Sequence, residues 1–95
     1  MLEFEWDETK RLSNIKNHGI DFEEAKPVFE DLNALDVLDG RFDYGEERWV
    51  IIGRGAGGLL AVVYVERDGV NRIISARLTT KKETDEYVVQ KDAWN

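Results

Sequence analysis

Leu59-Leu60-Ala61-Val62-Val63-Tyr64-Val65-Glu66, then Arg67-Asp68-Gly69, then Val70-Asn71-Arg72-Ile73-Ile74-Ser75-Ala76-Arg77-Leu78, decides the fold. Both flanking runs are rich in Val and Ile, which suit a pleated, half-buried surface. The three residues between them include Gly69, so the pair reads as an antiparallel hairpin. Upstream, Glu47–Gly53 reads as another strand, joined to Leu59–Glu66 through Arg54–Gly58. That connection completes the pattern Gly53-Arg54-Gly55-Ala56-Gly57-Gly58, a literal G-x-G-x-x-G. A dinucleotide fingerprint must open a helix, whereas these glycines lead into a further strand, so they read as a flexible hairpin.

Outward from this meander, Ala34–Leu38 reads as a further strand and Glu3–Trp6 as a short one. Asp7 is placed to cap a helix over residues 8–17, with Leu12 and Ile15 as its narrow apolar stripe and Gly19 as its end. Asp21 and Glu24 form a capping-box pair for a second helix, with Ile20 and Ala25 as its staple. Phe22, Ala25, Val28 and Phe29 are its expected buried face, and Pro27 should kink or shorten it. Thr80 and Glu83 form a second capping-box pair, opening a last helix through about Lys91. Helices, then an antiparallel meander, then a helix give an α+β fold of two layers, with N-terminal helices packed on an antiparallel sheet. Trp6 and Trp49 are expected in the core, and Trp94 either folds back or awaits a partner.

The chain has 95 residues, enough for one domain, 1–95. Its 42% hydrophobic content supports a small core, so any site should lie on a shallow face. Cysteine is absent, which excludes disulfides and thiolate metal sites and suits a cytoplasmic protein. The acidic N-terminus does not read as a signal peptide, and Leu59–Val65 is far too short to span a membrane. The net charge of −7 argues against general nucleic-acid binding. The charge is segregated, however. Asp21–Glu47 is acidic, with Lys26 and Arg41 its only bases, while Arg67–Lys82 is basic, with Asp68 its only acid. Two such halves suggest two different contacts, although most single charges are simply solvated.

Several residues are candidates for chemistry. His18, the single histidine, stands in the turn between the first two helices. It reads either as a helix C-cap or as a proton shuttle. Arg77 lies near the end of the last strand, where an arginine is usually an ion-pair member but can also grip phosphate with its planar fork. Strict alternation puts Ile73, Ser75 and Arg77 on one sheet face. Glu66, Arg67, Arg77 and Lys81 are expected to gather at adjacent strand ends if the register allows it.

Phe4-Glu5-Trp6-Asp7, Lys10, Asn14, His18-Gly19-Ile20, Phe22-Glu23-Glu24-Ala25 and Val28-Phe29 resemble the opening of the BrnT toxin family. Gly45-Glu46-Glu47-Arg48, Leu60 to Glu66-Arg67 and Arg72-Ile73-Ile74-Ser75-Ala76-Arg77, with Glu83 and Tyr87, resemble its middle and end. The resemblance implies a RelE-like fold and metal-independent RNA cleavage that inhibits translation, with no cofactor. It also implies a type II toxin–antitoxin pair: a BrnA-like antitoxin that binds DNA itself, and a homodimer of the toxin within the complex. The chain departs from the family pattern at Asn17, Pro27 and Val65, and in its acidity.

On this reading Arg77 is the main phosphate ligand, assisted by Arg67 or Lys81. His18, or else Glu66, transfers protons, and Tyr87 stacks on a base or orients the phosphate. Two other readings stay open: a protein-binding module whose acidic stretch meets a basic partner, and an RNA-binding domain without catalysis.

Overall fold

A computed structural model describes residues 2–39 and 45–93. Trp94, and most of the polar loop expected before Gly45, lie outside the described residues. The elements are β1 (Glu3–Glu5), α1 (Glu8–His18), a 3₁₀ helix (Phe22–Glu30), β2 (Leu35–Asp39), β3 (Arg48–Gly55), β4 (Gly58–Arg67), β5 (Val70–Leu78) and α2 (Lys81–Ala93).

The meander forms as expected: β2, β3, β4 and β5 pair antiparallel in sequence order. Gly53–Gly58 is a hairpin, in which Gly55 pairs with Gly58 across Ala56 and Gly57. The sheet is not wholly antiparallel, because β1 adds parallel to the outer edge of β5 and pairs at Val70–Arg72. Two helical segments separate β1 from the meander, so no hairpin constrains its direction.

Both capping boxes are present. Asp21 accepts from Glu23 N–H while Glu24 accepts from Asp21 N–H. Thr80 Oγ1 accepts from Glu83 N–H while Glu83 accepts from Thr80 N–H. The second helix is 3₁₀ over its nine residues. Pro27 lacks the N–H that an α-helical bond to residue 23 would use.

A β-bulge sits between β4 and β5. Val63 pairs with Ser75 and Tyr64 with Ile73, leaving Ile74 as the extra residue. The bulge reverses the alternation expected for β5. Ile73 and Ala76 now share a face with Val62 and Tyr64, while Ser75 and Arg77 point to the other.

On the first face, the 3₁₀ helix buries Phe22, Ala25 and Val28 against Ile51, Leu60, Val62, Ile73 and Ala76. Trp6, Phe29 and Trp49 are partly buried and pack against this core. On the second face, Tyr87 of α2 packs on Ile52 and Ala61. Helices therefore flank both faces, and the fold has three layers rather than the two expected. Among the described residues no helix is long and apolar enough to cross a membrane.

The expected apolar stripe of α1 is not its buried one: Leu12 is 57% exposed and Ile15 36%. The buried residue of α1 is Asn14. Its amide donates to Ala76 O and Ile20 O, at 2.8 and 2.9 Å, and its Oδ1 accepts from Ala76 N–H. The pairing of β1 with β5 stops at Arg72, so Ala76 would otherwise present a bare peptide edge. Asn14 supplies the missing donor and acceptor and so fastens α1 to the sheet.

Candidate active site

The second sheet face is only partly covered, because α2 lies over its β2–β3 side. Cross-strand rows define what this face presents. Leu35, Ile52, Ala61 and Arg77 form one row, and Val37, Val50, Val63 and Ser75 the next. Further along the strands, Asp39 pairs with Arg48 and Val65 with Arg72, which pairs in turn with Glu5. Arginines 48, 72 and 77 therefore stand on one face, separated by a valine-rich strip.

Arg77 lies in a depression of about 340 Å³ between this face and the first turn of α2. Its Nη1 and Nη2 donate to the two carboxylate oxygens of Glu83, at 2.7 and 2.9 Å. This fork-to-fork pair fixes the guanidinium plane, and the capping box of α2 fixes Glu83 in turn. The arginine holds the Glu83 carboxyl at about 2, despite opposing burial. At neutral pH Glu83 is a carboxylate and a poor proton acceptor. Lys81, the first residue of α2, is well exposed and pairs with Asp85.

The expected gathering of Glu66 and Arg67 with Arg77 and Lys81 does not occur. In an antiparallel hairpin the end of β4 meets the start of β5: Glu66 pairs with Asn71 and Arg67 with Val70. Arg77 pairs with Ala61, five steps back along β4 from Glu66 (66 − 61), or about 17 Å at the usual strand rise. Arg67 instead forms a bidentate, exposed pair with Glu46, whose carboxyl it holds below its ordinary range.

Tyr87 cannot stack on a base, because only 1% of it is exposed. Its hydroxyl donates to Asp31 Oδ2 at 2.7 Å. Asp31 also accepts from the backbone N–H of Arg54 and Asn33. Burial raises the Asp31 carboxyl, but these three donors outweigh it and hold it below its ordinary value. Burial first, and then the carboxylate, push the Tyr87 hydroxyl up. Tyr87 is thus the strut that ties α2 to the turn before β2.

His18 is the last residue of α1 and is exposed. The cap itself belongs to Gly19, in the left-handed region at φ +70°, whose N–H bonds to Ile15 O. His18 borders a small cleft with Ile74 and Ser75, the residues at the bulge. Ser75 is two residues from Arg77 and on the same face. The structure thus places Arg77 with Thr80, Lys82 and Glu83 around one depression, turns Lys81 outward to Asp85, sets His18 across the edge of β5, and leaves Glu66 and Arg67 at the far end.

The sequence reading missed Arg48 and Arg72 as companions of Arg77, and Glu83 as its anchor. The capping-box glutamate six residues beyond Arg77 was the available signal for Glu83. Arg72 pairs with Glu5 of β1, a contact that only the parallel edge creates.

These features describe a small α+β protein with arginines distributed over a half-open sheet face. A family model described as ribonuclease toxin, BrnT, of type II toxin–antitoxin system matches residues 6–83. The match runs from Trp6 to Glu83 and covers most of the chain, which belongs to the BrnT family of ribonuclease toxins. A comparison with curated proteins finds no match.

Proposed function

We propose that this chain is the endoribonuclease of a type II toxin–antitoxin pair and cleaves RNA without a metal ion. Family membership supports the toxin role. The observation that carries the assignment of chemistry is Arg77, held by Glu83 at the mouth of a depression on the open sheet face.

In this reaction the 2′-oxygen of a ribose attacks the adjacent phosphorus. A 2′-O–P bond forms and the P–O5′ bond breaks. The 2′-hydroxyl proton passes to a base, and the departing 5′-oxygen takes up a proton. Charge builds on the non-bridging phosphate oxygens, and a pre-oriented guanidinium stabilises it. Arg77 takes that role, and Lys81, four residues on in the first turn of α2, assists from the exposed side. A phosphate competes with Glu83 for the fork, which a partly exposed ion pair permits because such pairs are weak in water. His18 is the proton-transfer residue, across the edge of the same strand. Glu66 and Arg67, at the other end of the β4–β5 pair, face a more distant part of the RNA.

The wider reading is one RelE-like toxin domain over residues 1–95. It acts in the cytoplasm to block translation, is neutralised by a BrnA-like antitoxin, and is dimeric in that complex. DNA is reached only through the antitoxin. Expression of the chain alone should arrest growth and degrade RNA, and co-expression of the neighbouring antitoxin should reverse both. Normal growth with intact RNA, at a verified protein level, would count against cleavage.

One observation favours a second reading, a non-catalytic protein-binding module. Edge strand β2 exposes Val37 (54%) and Leu38 (49%) beside an apolar groove of about 720 Å³ that α2 lines with Val89. Open strand edges and apolar patches are common partner sites. Tight antitoxin binding by a protein that leaves RNA intact would support it.

A further inference from the structure

We propose that the cleft between α1 and the free edge of β5 binds a phosphate group of an RNA strand, next to the phosphate held at Arg77. The inference rests on the RNA-cleaving reading above and adds a second contact to it.

The cleft is about 280 Å³, and Lys10, Ser13, Asn17, His18 and Ser75 line it together with Asn14 and Ile74. Residues 10, 13, 14 and 17 recur at helical spacing, so one face of α1 presents them together. Asn14 is committed to the peptide of Ala76. The side chains of Lys10, Ser13, Asn17, His18 and Ser75 make no hydrogen bond or ion pair with the described residues. That is unusual here, where Arg11, Lys26, Arg67, Arg72, Arg77, Lys81 and Lys82 all hold carboxylates.

Charge decides the ligand. In a chain of net charge −7, no carboxylate among the described residues lines this cleft, while an ammonium, a hydroxyl pair, an amide and the single imidazole do. That donor set suits an oxyanion. The size is below the roughly 300–1,000 Å³ of drug-sized pockets and fits a phosphate with part of its sugar.

Position decides the source. The cleft opens at the bulge, and bulges re-aim side chains next to functional sites. Ser75 and Arg77 are two residues apart on one strand and one face, about 7 Å by strand rise, the scale of one nucleotide step. An RNA strand crossing the edge of β5 would meet Arg77 and the cleft at successive phosphates. Lys10 is then a positioning residue for the substrate.

The test uses the purified chain and a labelled 2′-O-methyl oligoribonucleotide, which lacks the nucleophilic hydroxyl. Binding is followed by anisotropy across a salt series. Lys10→Met should weaken binding severalfold and lower the slope of log affinity against log salt by about 0.7, the loss of one single-strand phosphate contact. Lys10→Arg should restore most of both. The His18 imidazole gives one set of NMR signals, which the oligonucleotide should move and inorganic phosphate at matched phosphate concentration should not.

If Lys10→Met binds like the parent while Arg77→Met binds poorly, the cleft proposal is overturned and the RNA reading stands. If inorganic phosphate moves the His18 signals equally, the cleft is a free-phosphate site and the proposal is again overturned. If the parent itself does not bind the oligonucleotide, the RNA reading and this proposal fall together.

Discussion

Replacing Glu83 with glutamine isolates the ion pair that orients Arg77. Glutamine keeps the shape and an oxygen for Thr80 N–H, so the cap of α2 should survive while the negative charge is lost. A carboxyl held at about 2 rather than 4.5 corresponds to about 1.4 kcal/mol per tenfold change in the proton equilibrium, about 3 kcal/mol as a ceiling. The side chains of Arg77 and Glu83 are 33% and 19% exposed, and water screens such a pair. The expected loss for E83Q at pH 7 is therefore about 1–2 kcal/mol, or about 5–15 °C in Tm for a domain of this size. The sign with pH follows from the depressed carboxyl. Its stabilisation is complete above the ordinary value of 4.5 and disappears as pH falls towards about 2. Urea unfolding of both proteins at pH 7, 5, 4 and 3 reads the difference directly. The gap should hold from pH 7 to 5 and shrink at pH 4 and 3. A gap that stays constant down to pH 3 would refute the coupling of Glu83 to Arg77.

Other perturbations test the rest of the frame. Tyr87→Phe keeps the ring but removes a donor to the Asp31 carboxylate, and should cost about 1.5–3 kcal/mol by urea unfolding; an unchanged midpoint would mean that the strut is not formed. Asn14→Ala strips the partners from both polar groups of the Ala76 peptide, so it should cost about 2–4 kcal/mol and speed amide exchange at Ala76, and full protection there would contradict the edge-capping role. Gly55→Ala puts a Cβ 2.7 Å from Glu24 O and 2.5 Å from Leu60 Cδ1, which predicts a loss of about 1–3 kcal/mol. Gly57→Ala meets nothing closer than 3.8 Å and should melt near the parent, so equal effects at the two glycines would be wrong for this hairpin packing.

Strong local signals made most elements legible. The Val and Ile runs of β3 to β5, the hairpin glycines and the Asp21–Glu24 and Thr80–Glu83 caps each specify their structure within a few residues. What stayed hidden depends on contacts distant in sequence. The bulge at Ile74 changes which face Arg77 occupies, and a one-residue slip carries no signature in a run of apolar residues. Asn14 looks like any polar helix residue until β1 is seen to end short of Ala76. Tyr87 reads as an available aromatic, yet the Asp31 carboxylate 56 positions away satisfies its hydroxyl inside the fold. The separation of Arg67 from Arg77 was deducible, since the hairpin that joins β4 to β5 already sets those arginines at opposite ends. The place of Arg77, one residue before the end of β5 and shortly ahead of a capped helix, was readable from sequence.

RNA cleavage by purified Arg77→Ala and Arg67→Ala variants, each compared with the parent at equal folded concentration, tests the assignment of chemistry most directly. Loss of one positioned charge-stabilising contact typically slows catalysis about 10²–10³-fold. That loss is the expected result for Arg77→Ala, with Arg67→Ala staying within a few-fold of the parent. An Arg77→Ala protein that cuts as fast as the parent would contradict the account.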